Sequence, residues 1–235
     1  MPALFVSGTD TGVGKTVITA LLTRAMRSLG ADCVAMKPLA SGCQWQSEVL
    51  ESEDASFLSE VGGFDVPPPL LCPVRLELPL APLVAAQQSG VDTSEWAALT
   101  HSAFEELQRR HEWVIVEGVG GWYVPLWEVD GATTTCADLV SSWNLPVVVV
   151  ARRTLGTINH TVLTCRAVQS QAELLGVVFC DAEDVGDEDV AAQTSPGFTC
   201  ELAAARQLGF VPHSCDWELG AQALMPLARE LLARS

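Results

Sequence analysis

The sequence predicts an α/β fold in which a mostly parallel central sheet carries helices on both faces. Short apolar runs alternate with segments of helical periodicity along the chain. The apolar runs are hydrophobic at nearly every position, as in strands that are buried on both sides, and the alternation of strand and helix is typical of parallel strands joined by crossovers. No repeat or low-complexity linker interrupts the pattern, so we expect one domain over residues 1–235.

Each element follows from its local pattern. The first strand is expected in ALFVSG (3–8), an apolar run that ends in glycine, and the first helix at 15–30, where Gly30 marks the stop. Further strands are expected at 32–38, 113–118, 146–151, 175–180 and 207–212, and further helices at 94–110, 158–175 and 222–234. The proline-rich segment 66–73 is expected to be an ordered loop.

The composition restricts the partners of the protein. An apolar fraction of 49% and a charged fraction of 18% are those of a folded globule. The formal net charge of −16 repels phosphate backbones and anionic lipids, so we expect neither a nucleic acid nor a membrane as partner. A nucleoside triphosphate would have to be bound by local devices such as backbone amides, a metal ion and a few placed cations.

The eight cysteines are scattered, without a C-x-x-C pair or zinc spacing. We therefore predict reduced structural thiols and a cytoplasmic protein. The start MPALFVSGT has no basic region and no long apolar region, so no secretory signal is expected. No apolar run approaches the roughly 20 residues of a membrane span.

The segment GTDTGVGKT, between the first strand and the first helix, fits a phosphate-binding P-loop. Its glycines let backbone N–H groups face phosphate oxygens, and the helix N-terminus adds a positive dipole. Lys15 would reach the β and γ phosphates, and the Thr16 hydroxyl would bind Mg²⁺. The glycine that usually stands six residues before the lysine is Thr9 here, with Gly8 one position earlier. The predicted fold is therefore of the P-loop NTPase type.

A magnesium-binding P-loop calls for a carboxylate at the end of a neighbouring strand. WVIVEG supplies Glu117 at such a place, followed by glycines. A further carboxylate could come from ESEDAS, where the spacing alone leaves Glu51, Glu53 and Asp54 open.

The chain contains eleven arginines but only two lysines, Lys15 and Lys37. Lys37, in VAMKPLASG, follows a predicted strand at the sheet edge where ligands bind in such folds. A lysine is a compact point charge, whereas arginine is a broad fork. We therefore predict that Lys37 is a second cation at the transferred phosphoryl group, outside the core.

Four motifs, GTDTGVGKT, KPLASG, EGVGGWYVPL and LGTINHTVLT, occur in this order between residues 8 and 165. Together they resemble the dethiobiotin synthetase family. The resemblance implies a Mg²⁺- and ATP-dependent ligase that joins CO₂ to 7,8-diaminononanoate, phosphorylates the carbamate and closes a cyclic urea. It also implies a homodimer with the substrate across the subunit interface.

The resemblance further implies roles for individual residues. Lys37 and Lys15 would be catalytic, and Thr16, Asp54 and Glu117 would hold Mg²⁺. The diamine or its carbamate would contact Thr11, Lys37 and Ser41, with Asn159 of the TINH segment contributed by the other subunit. The nucleotide would contact Gly12, Val13, Gly14, Lys15, Thr16, Val17, Asp54, Glu117, Gly118, Val119, Gly120, Cys180, Val211 and Pro212.

One position departs from the family pattern. Familiar members carry an asparagine that reads the adenine edge after the strand that here is LGVVF, whereas this chain has Cys180. Cysteine is a weak donor and acceptor, so a weaker preference for ATP over other triphosphates is expected. The acidic stretch DAEDVGDED (181–189) is expected to be a solvated loop.

Two rival hypotheses come from the same broad P-loop group. A ligase of corrin amide synthesis would need a glutaminase domain, for which 235 residues leave no room. A partitioning or positioning ATPase would carry a second lysine five residues before Lys15, where this chain has Asp10. The strongly negative net charge also argues against the basic surface of such ATPases.

Overall fold

A computed structural model describes residues 2–186, 188–213 and 216–234. Strands and helices alternate over most of this length. The strands are β1 (Ala3–Gly8), β2 (Cys33–Met36), β3 (Leu39–Ser41), β4 (Gln44–Gln46), β5 (Val49–Glu51), β6 (Val74–Leu76), β7 (Trp113–Glu117), β8 (Pro125–Val129), β9 (Ala132–Thr135), β10 (Val147–Ala151), β11 (Leu174–Cys180) and β12 (Gln207–Val211). The helices are α1 (Lys15–Ser28), α2 (Glu53–Gly62), α3 (Pro68–Leu71), α4 (Pro82–Ser89), α5 (Trp96–Arg110), α6 (Cys136–Trp143), α7 (Thr157–Gln169), α8 (Val190–Ala203) and α9 (Trp217–Ala233).

The central sheet has six strands in the order β12-β11-β10-β1-β7-β2. Every neighbouring pair in it is parallel. Successive residues of a strand point to opposite faces, and the successive residues Leu4, Phe5 and Val6 of β1 are all fully buried. Both faces of the sheet are therefore covered, which confirms the predicted α/β fold.

The strand order creates the place for a ligand. From β1 the chain moves to β2 on one side, returns to β7 and then builds β10, β11 and β12 on the other side. Ligands of open α/β sheets bind outside the carboxyl ends of the strands where the strand order reverses. In this chain the P-loop (9–14), Lys37, Glu117 and Cys180 lie at that edge.

Two helices differ from the prediction. The helix predicted over 158–175 ends at Gln169, because Leu174 already pairs with Val147 of β10 in the sheet. The helix predicted over 222–234 begins at Trp217, because Asp216 caps it by accepting hydrogen bonds from the Glu218 and Leu219 amides.

Several short elements were not predicted. Three two-stranded sheets pair β3 with β6, β4 with β5 and β8 with β9. One turn of helix, α3, lies in the proline-rich segment that was expected to be loop, and α8 contains Pro196. The described part of the acidic stretch is mostly exposed loop, except for the buried Asp181, and Asp187 lies outside the described residues.

The described cysteines are all free thiols, and six of these seven are buried. Cys215 lies outside the described residues. Within the described ranges, the helices are too short or too polar to cross a membrane.

Candidate active site

The P-loop connects β1 to α1 in a conformation that needs glycine. Gly12 and Gly14 have φ angles of +71° and +95°, a region that side chains disfavour. The Lys15 ammonium donates to the main-chain carbonyl of Asp10 at 2.8 Å, so the lysine folds back over its own loop. Gly14 also lacks space for a side chain, since a Cβ there would lie 2.5 Å from the Cys180 sulfur.

Lys37 lies between two carboxylates at the mouth of the P-loop. Its Nζ is 2.7 Å from Glu117 Oε1 and 2.5 Å from Asp54 Oδ2. Lys37 directly follows β2, Glu117 ends β7, and Asp54 lies in the first turn of α2, which Ser52 caps. Three separate segments thus bring one cation and two anions together.

The Lys37 side chain is only 5% exposed. The prediction that this lysine lies outside the core was wrong in this respect, although its position at the ligand edge is as predicted. A solvated loop lysine is excluded. Burial alone would lower the pKa of Lys37, but Glu117 and Asp54 outweigh burial and raise it above the ordinary value. Lys37 is therefore a permanent cation.

Lys15 differs from Lys37 in its electrostatics. Burial lowers its pKa, and the nearby positive charge of Lys37 acts in the same direction, whereas Glu117 opposes the shift. Two ammonium groups near one carboxylate repel each other until an anion joins them. The pair of lysines is thus suited to bind a polyanion such as a triphosphate.

The residues present fit a magnesium ion. Thr16 Oγ1 donates to Glu117 Oε1 at 2.7 Å, which leaves the second carboxylate oxygen, Oε2, buried and without a hydrogen-bond partner. A buried unpaired carboxylate oxygen is costly unless a cation joins it. Among the described residues, no group of three His, Cys, Asp or Glu side chains could hold a metal ion by itself. Two carboxylates and one hydroxyl suit Mg²⁺, which takes further ligands from water and phosphate.

A cleft of about 860 Å³ opens above this cluster. Most of the predicted phosphate, metal and substrate residues line it, together with Glu53, Phe57 and the segment 79–81. The predicted residues in the lining are Thr11, Gly12, Gly14, Lys15, Thr16, Val17, Lys37, Ser41, Asp54, Glu117, Val119 and Gly120.

Six predicted site residues do not line the cleft, and three of them, Val13, Gly118 and Asn159, do not line the adjoining smaller pocket either. Val13 is buried beneath the loop, and Gly118 packs so closely on Phe5 that a Cβ would lie 2.7 Å from its ring. These two residues could contact a nucleotide only through their backbone. Asn159 is exposed on α7 and does not line the cleft of its own chain.

A second, smaller pocket of about 250 Å³ adjoins the cleft, and Val17 and Ala182 line both. This pocket is lined by three of the predicted nucleotide contacts, Cys180, Val211 and Pro212, of which Cys180 was predicted at the base. None of its described lining residues carries a side-chain amide. Burial raises the pKa of the Cys180 thiol to about 12, so this group is neutral at the pocket wall.

The two carboxylates at the small pocket already have partners. Asp181 forms a two-pronged ion pair with Arg153, and the Arg153 guanidinium also stacks 4.0 Å from the centre of the Phe210 ring. Asp216 caps α9. Both described carboxylates of this pocket are therefore already engaged in contacts within the protein.

Sequence reasoning missed part of the cleft wall. Phe57 lies one helical turn after Asp54, so the i, i+3 spacing could have placed it on the same face of α2. Residues 79–81 follow the short strand β6, and no local pattern distinguishes them from any other loop.

Comparison with known proteins shows the family of the chain. A family model described as an AAA domain matches residues 2–217. The ATP-dependent dethiobiotin synthetase BioD of Anaeromyxobacter dehalogenans is 44% identical over 225 residues, covering 95% of this chain and 96% of that protein. The same enzyme of Thermodesulfovibrio yellowstonii is 34% identical over 212 residues, covering 89% and 88%. The chain belongs to the dethiobiotin synthetase family. The resemblance inferred from the four motifs is thereby confirmed.

Solved structures similar to this dethiobiotin synthetase family member share its fold. The MinC:MinD cell division complex of Aquifex aeolicus matches with a TM-score of 0.59 at 14% identity, covering 100% of this chain and 97% of that chain. MinD of Pyrococcus horikoshii, complexed with Mg-ADP, matches with a TM-score of 0.53 at 14% identity, covering 98% and 97%. At such low identity the likeness concerns the fold alone and gives the positioning-ATPase hypothesis no support.

Proposed function

We propose that this chain is an ATP-dependent dethiobiotin synthetase that works as one ligase domain, residues 1–235. It adds CO₂ to 7,8-diaminononanoate, phosphorylates the resulting carbamate and closes the cyclic urea of dethiobiotin, releasing ADP and phosphate. The observation that carries this proposal is Lys37, buried between Asp54 and Glu117 beside the P-loop.

The chemistry requires that two anions meet. A carbamate oxygen attacks the γ-phosphorus of ATP, ADP leaves, and a carbamic–phosphoric mixed anhydride forms. The ammonium groups of Lys15 and Lys37 lower the repulsion between the carbamate and the triphosphate, and they stabilise charge that grows in the transition state. Mg²⁺, held by Thr16, Asp54 and Glu117, would neutralise phosphate charge further.

Ring closure then depends on how the second amine is positioned beside the mixed anhydride. The second amine attacks the carbonyl carbon of the mixed anhydride, phosphate leaves, and a proton passes from the nitrogen to solvent or phosphate. Thr11 and Ser41 line the same cleft as Lys37, so they can hold the diamine beside the activated group. Such positioning makes the step effectively intramolecular.

The decisive experiment is incubation with diaminononanoate, bicarbonate, Mg²⁺ and ATP. We expect phosphate release that depends on the diamine and a cyclic-urea product detected by mass spectrometry. A positioning ATPase would release phosphate without the diamine, and a corrin amide ligase would form no cyclic urea. Either outcome would refute the proposed function. We place the reaction in the cytoplasm, with which the free described thiols agree.

The proposal includes a homodimer in which Asn159 serves the partner's substrate. Asn159 is exposed near the start of α7 and does not line the cleft of its own chain. We expect Asn159→Ala to raise KM for the diamine more than KM for ATP. An active monomer in sedimentation at micromolar concentration, or equal effects on both KM values, would contradict this arrangement.

The lining of the small pocket predicts that the enzyme accepts nucleoside triphosphates with different bases. A site that hydrogen-bonds a base edge rejects analogues because its buried polar groups would be left unpaired, and the Cys180 thiol imposes little such penalty. We expect ATP to be favoured over CTP, GTP and UTP only weakly, and Cys180→Asn to sharpen the preference. The measurement is kcat/KM for the four triphosphates, with Cys180→Ser as the control of similar size. If the unmodified protein already prefers ATP by several orders of magnitude, backbone groups read the base.

A further inference from the structure

Arg152 reaches the P-loop from the neighbouring strand. It follows the last residue of β10, and the start of the loop lies beside that strand because the Thr9 amide donates to the Val150 carbonyl at 3.0 Å. Arg152 Nη2 donates to the Thr11 carbonyl at 3.1 Å. The same nitrogen lies 3.5 Å from where a Cβ on Gly12 would be. The guanidinium therefore contacts the loop at the peptide that joins Thr11 to Gly12.

A hydrogen bond from α7 holds the backbone of Arg152 in place. Its carbonyl accepts a hydrogen bond from the Thr157 hydroxyl, at 2.6 Å, in the first turn of α7. Its neighbour Arg153 pairs with Asp181, yet Arg152 forms no ion pair with any described carboxylate of a protein whose net charge is −16. Its hydrogen bond goes to a neutral carbonyl instead.

Peptide geometry gives this contact a consequence on the other side of the loop. The described peptide bonds are all trans, and in a planar trans peptide the C=O and the N–H point in opposite directions. When Arg152 holds the Thr11 oxygen, the Gly12 N–H must point away from Arg152. Both Thr11 and Gly12 line the cleft. A charged donor on the carbonyl also polarises the peptide and strengthens its N–H as a donor.

We propose that Arg152 is a positioning residue of the phosphate loop. It orients and polarises the Thr11–Gly12 peptide so that the Gly12 N–H donates to the terminal phosphates of a bound nucleotide, and it acts through this peptide without touching the nucleotide itself. The inference rests on the proposed function only in that the cleft binds a nucleoside triphosphate.

The test is direct binding of Mg-ATP and of AMP, measured by calorimetry on the full chain. We expect Arg152→Met to weaken ATP binding by about tenfold, the usual effect of losing one charge-assisted hydrogen bond, and to leave AMP binding nearly unchanged. Arg152→Lys and Arg152→Gln each supply an N–H donor and should recover part of the loss. Lysine should recover more, because it also keeps the charge. Equal ATP affinity in Arg152→Met and the unmodified protein would overturn the proposal, and so would equal losses for ATP and AMP.

A matched control separates this contact from net charge. Arg229, on α9, is exposed, and its side chain forms no hydrogen bond or ion pair with any described residue. Arg229→Met changes the net charge by the same amount. We expect it to bind ATP normally. An equal loss in Arg229→Met would mean that overall charge explains the effect and would also overturn the proposal. If the unmodified protein fails to bind ATP, the proposed function is wrong, whereas normal ATP binding by Arg152→Met refutes only the positioning role.

Discussion

Lys37→Ala is expected to lower kcat for urea formation by about 100-fold or more, the usual effect of losing one preorganised electrostatic contact in the transition state. Lys37 Nζ contacts the Asp54 and Glu117 carboxylates, and no other described cation forms an ion pair with either of them. Lys37→Arg should also be poor, because the broad planar guanidinium does not fit a position shaped for an ammonium. The measurement is single-turnover phosphate release with saturating ATP and diamine. Near-normal turnover in a folded Lys37→Ala protein would refute the catalytic assignment.

The structure adds a stability effect that the sequence did not predict. The Glu117 side chain is fully buried, and removing its lysine partner leaves a buried charge uncompensated, which typically costs about 3–5 kcal/mol of the free energy of unfolding. The double variant Lys37→Ala/Glu117→Gln removes that charge as well. We expect it to recover stability in thermal unfolding, which would attribute the lost stability to the uncompensated charge of Glu117.

Glu117→Gln is expected to reduce kcat/KM by at least about 100-fold, because metal stabilisation of phosphoryl charge contributes several kcal/mol. The amide has nearly the same shape as the carboxylate but no negative charge, so it loses its attraction for Mg²⁺. It also weakens the bonds to Thr16 and Lys37, both of which contact Oε1. The Mg²⁺ concentration for half-maximal activity should rise, and this is the readout that tests the metal role.

The matched control for this variant is Glu53→Gln. Glu53 is exposed in the same cleft, beside Asp54, and the substitution changes the net charge equally. We expect it to keep most of the activity and its normal Mg²⁺ requirement. If Glu53→Gln shifts the Mg²⁺ requirement and Glu117→Gln does not, the carboxylates have been assigned incorrectly.

The sequence by itself determined the fold class and the phosphate loop. Strands such as β7 and β10 are short and almost uniformly apolar, which indicates burial on both faces of the sheet. The phosphate loop is equally recognisable, because a strand is followed by glycines, Lys15, Thr16 and a helix in the order typical of a P-loop. The four motifs were also sufficient to recognise the family, because each combines a chemical function with a fixed place after a strand. These features are local, and local patterns can be recognised without the fold.

Only the tertiary structure decided how the charges meet. Lys37 and Glu117 are 80 positions apart, and nothing in either segment indicates that they share a hydrogen bond or that burial makes their pair costly to break. The contact of Arg152 with Thr11 spans 141 positions and depends on β10 lying next to β1 in the sheet. Helix ends changed for the same reason, since pairing of β11 with β10 ended α7 earlier than its periodicity suggested. Contacts between distant segments arise from strand order, and strand order is set by packing of the whole chain, which no single segment encodes.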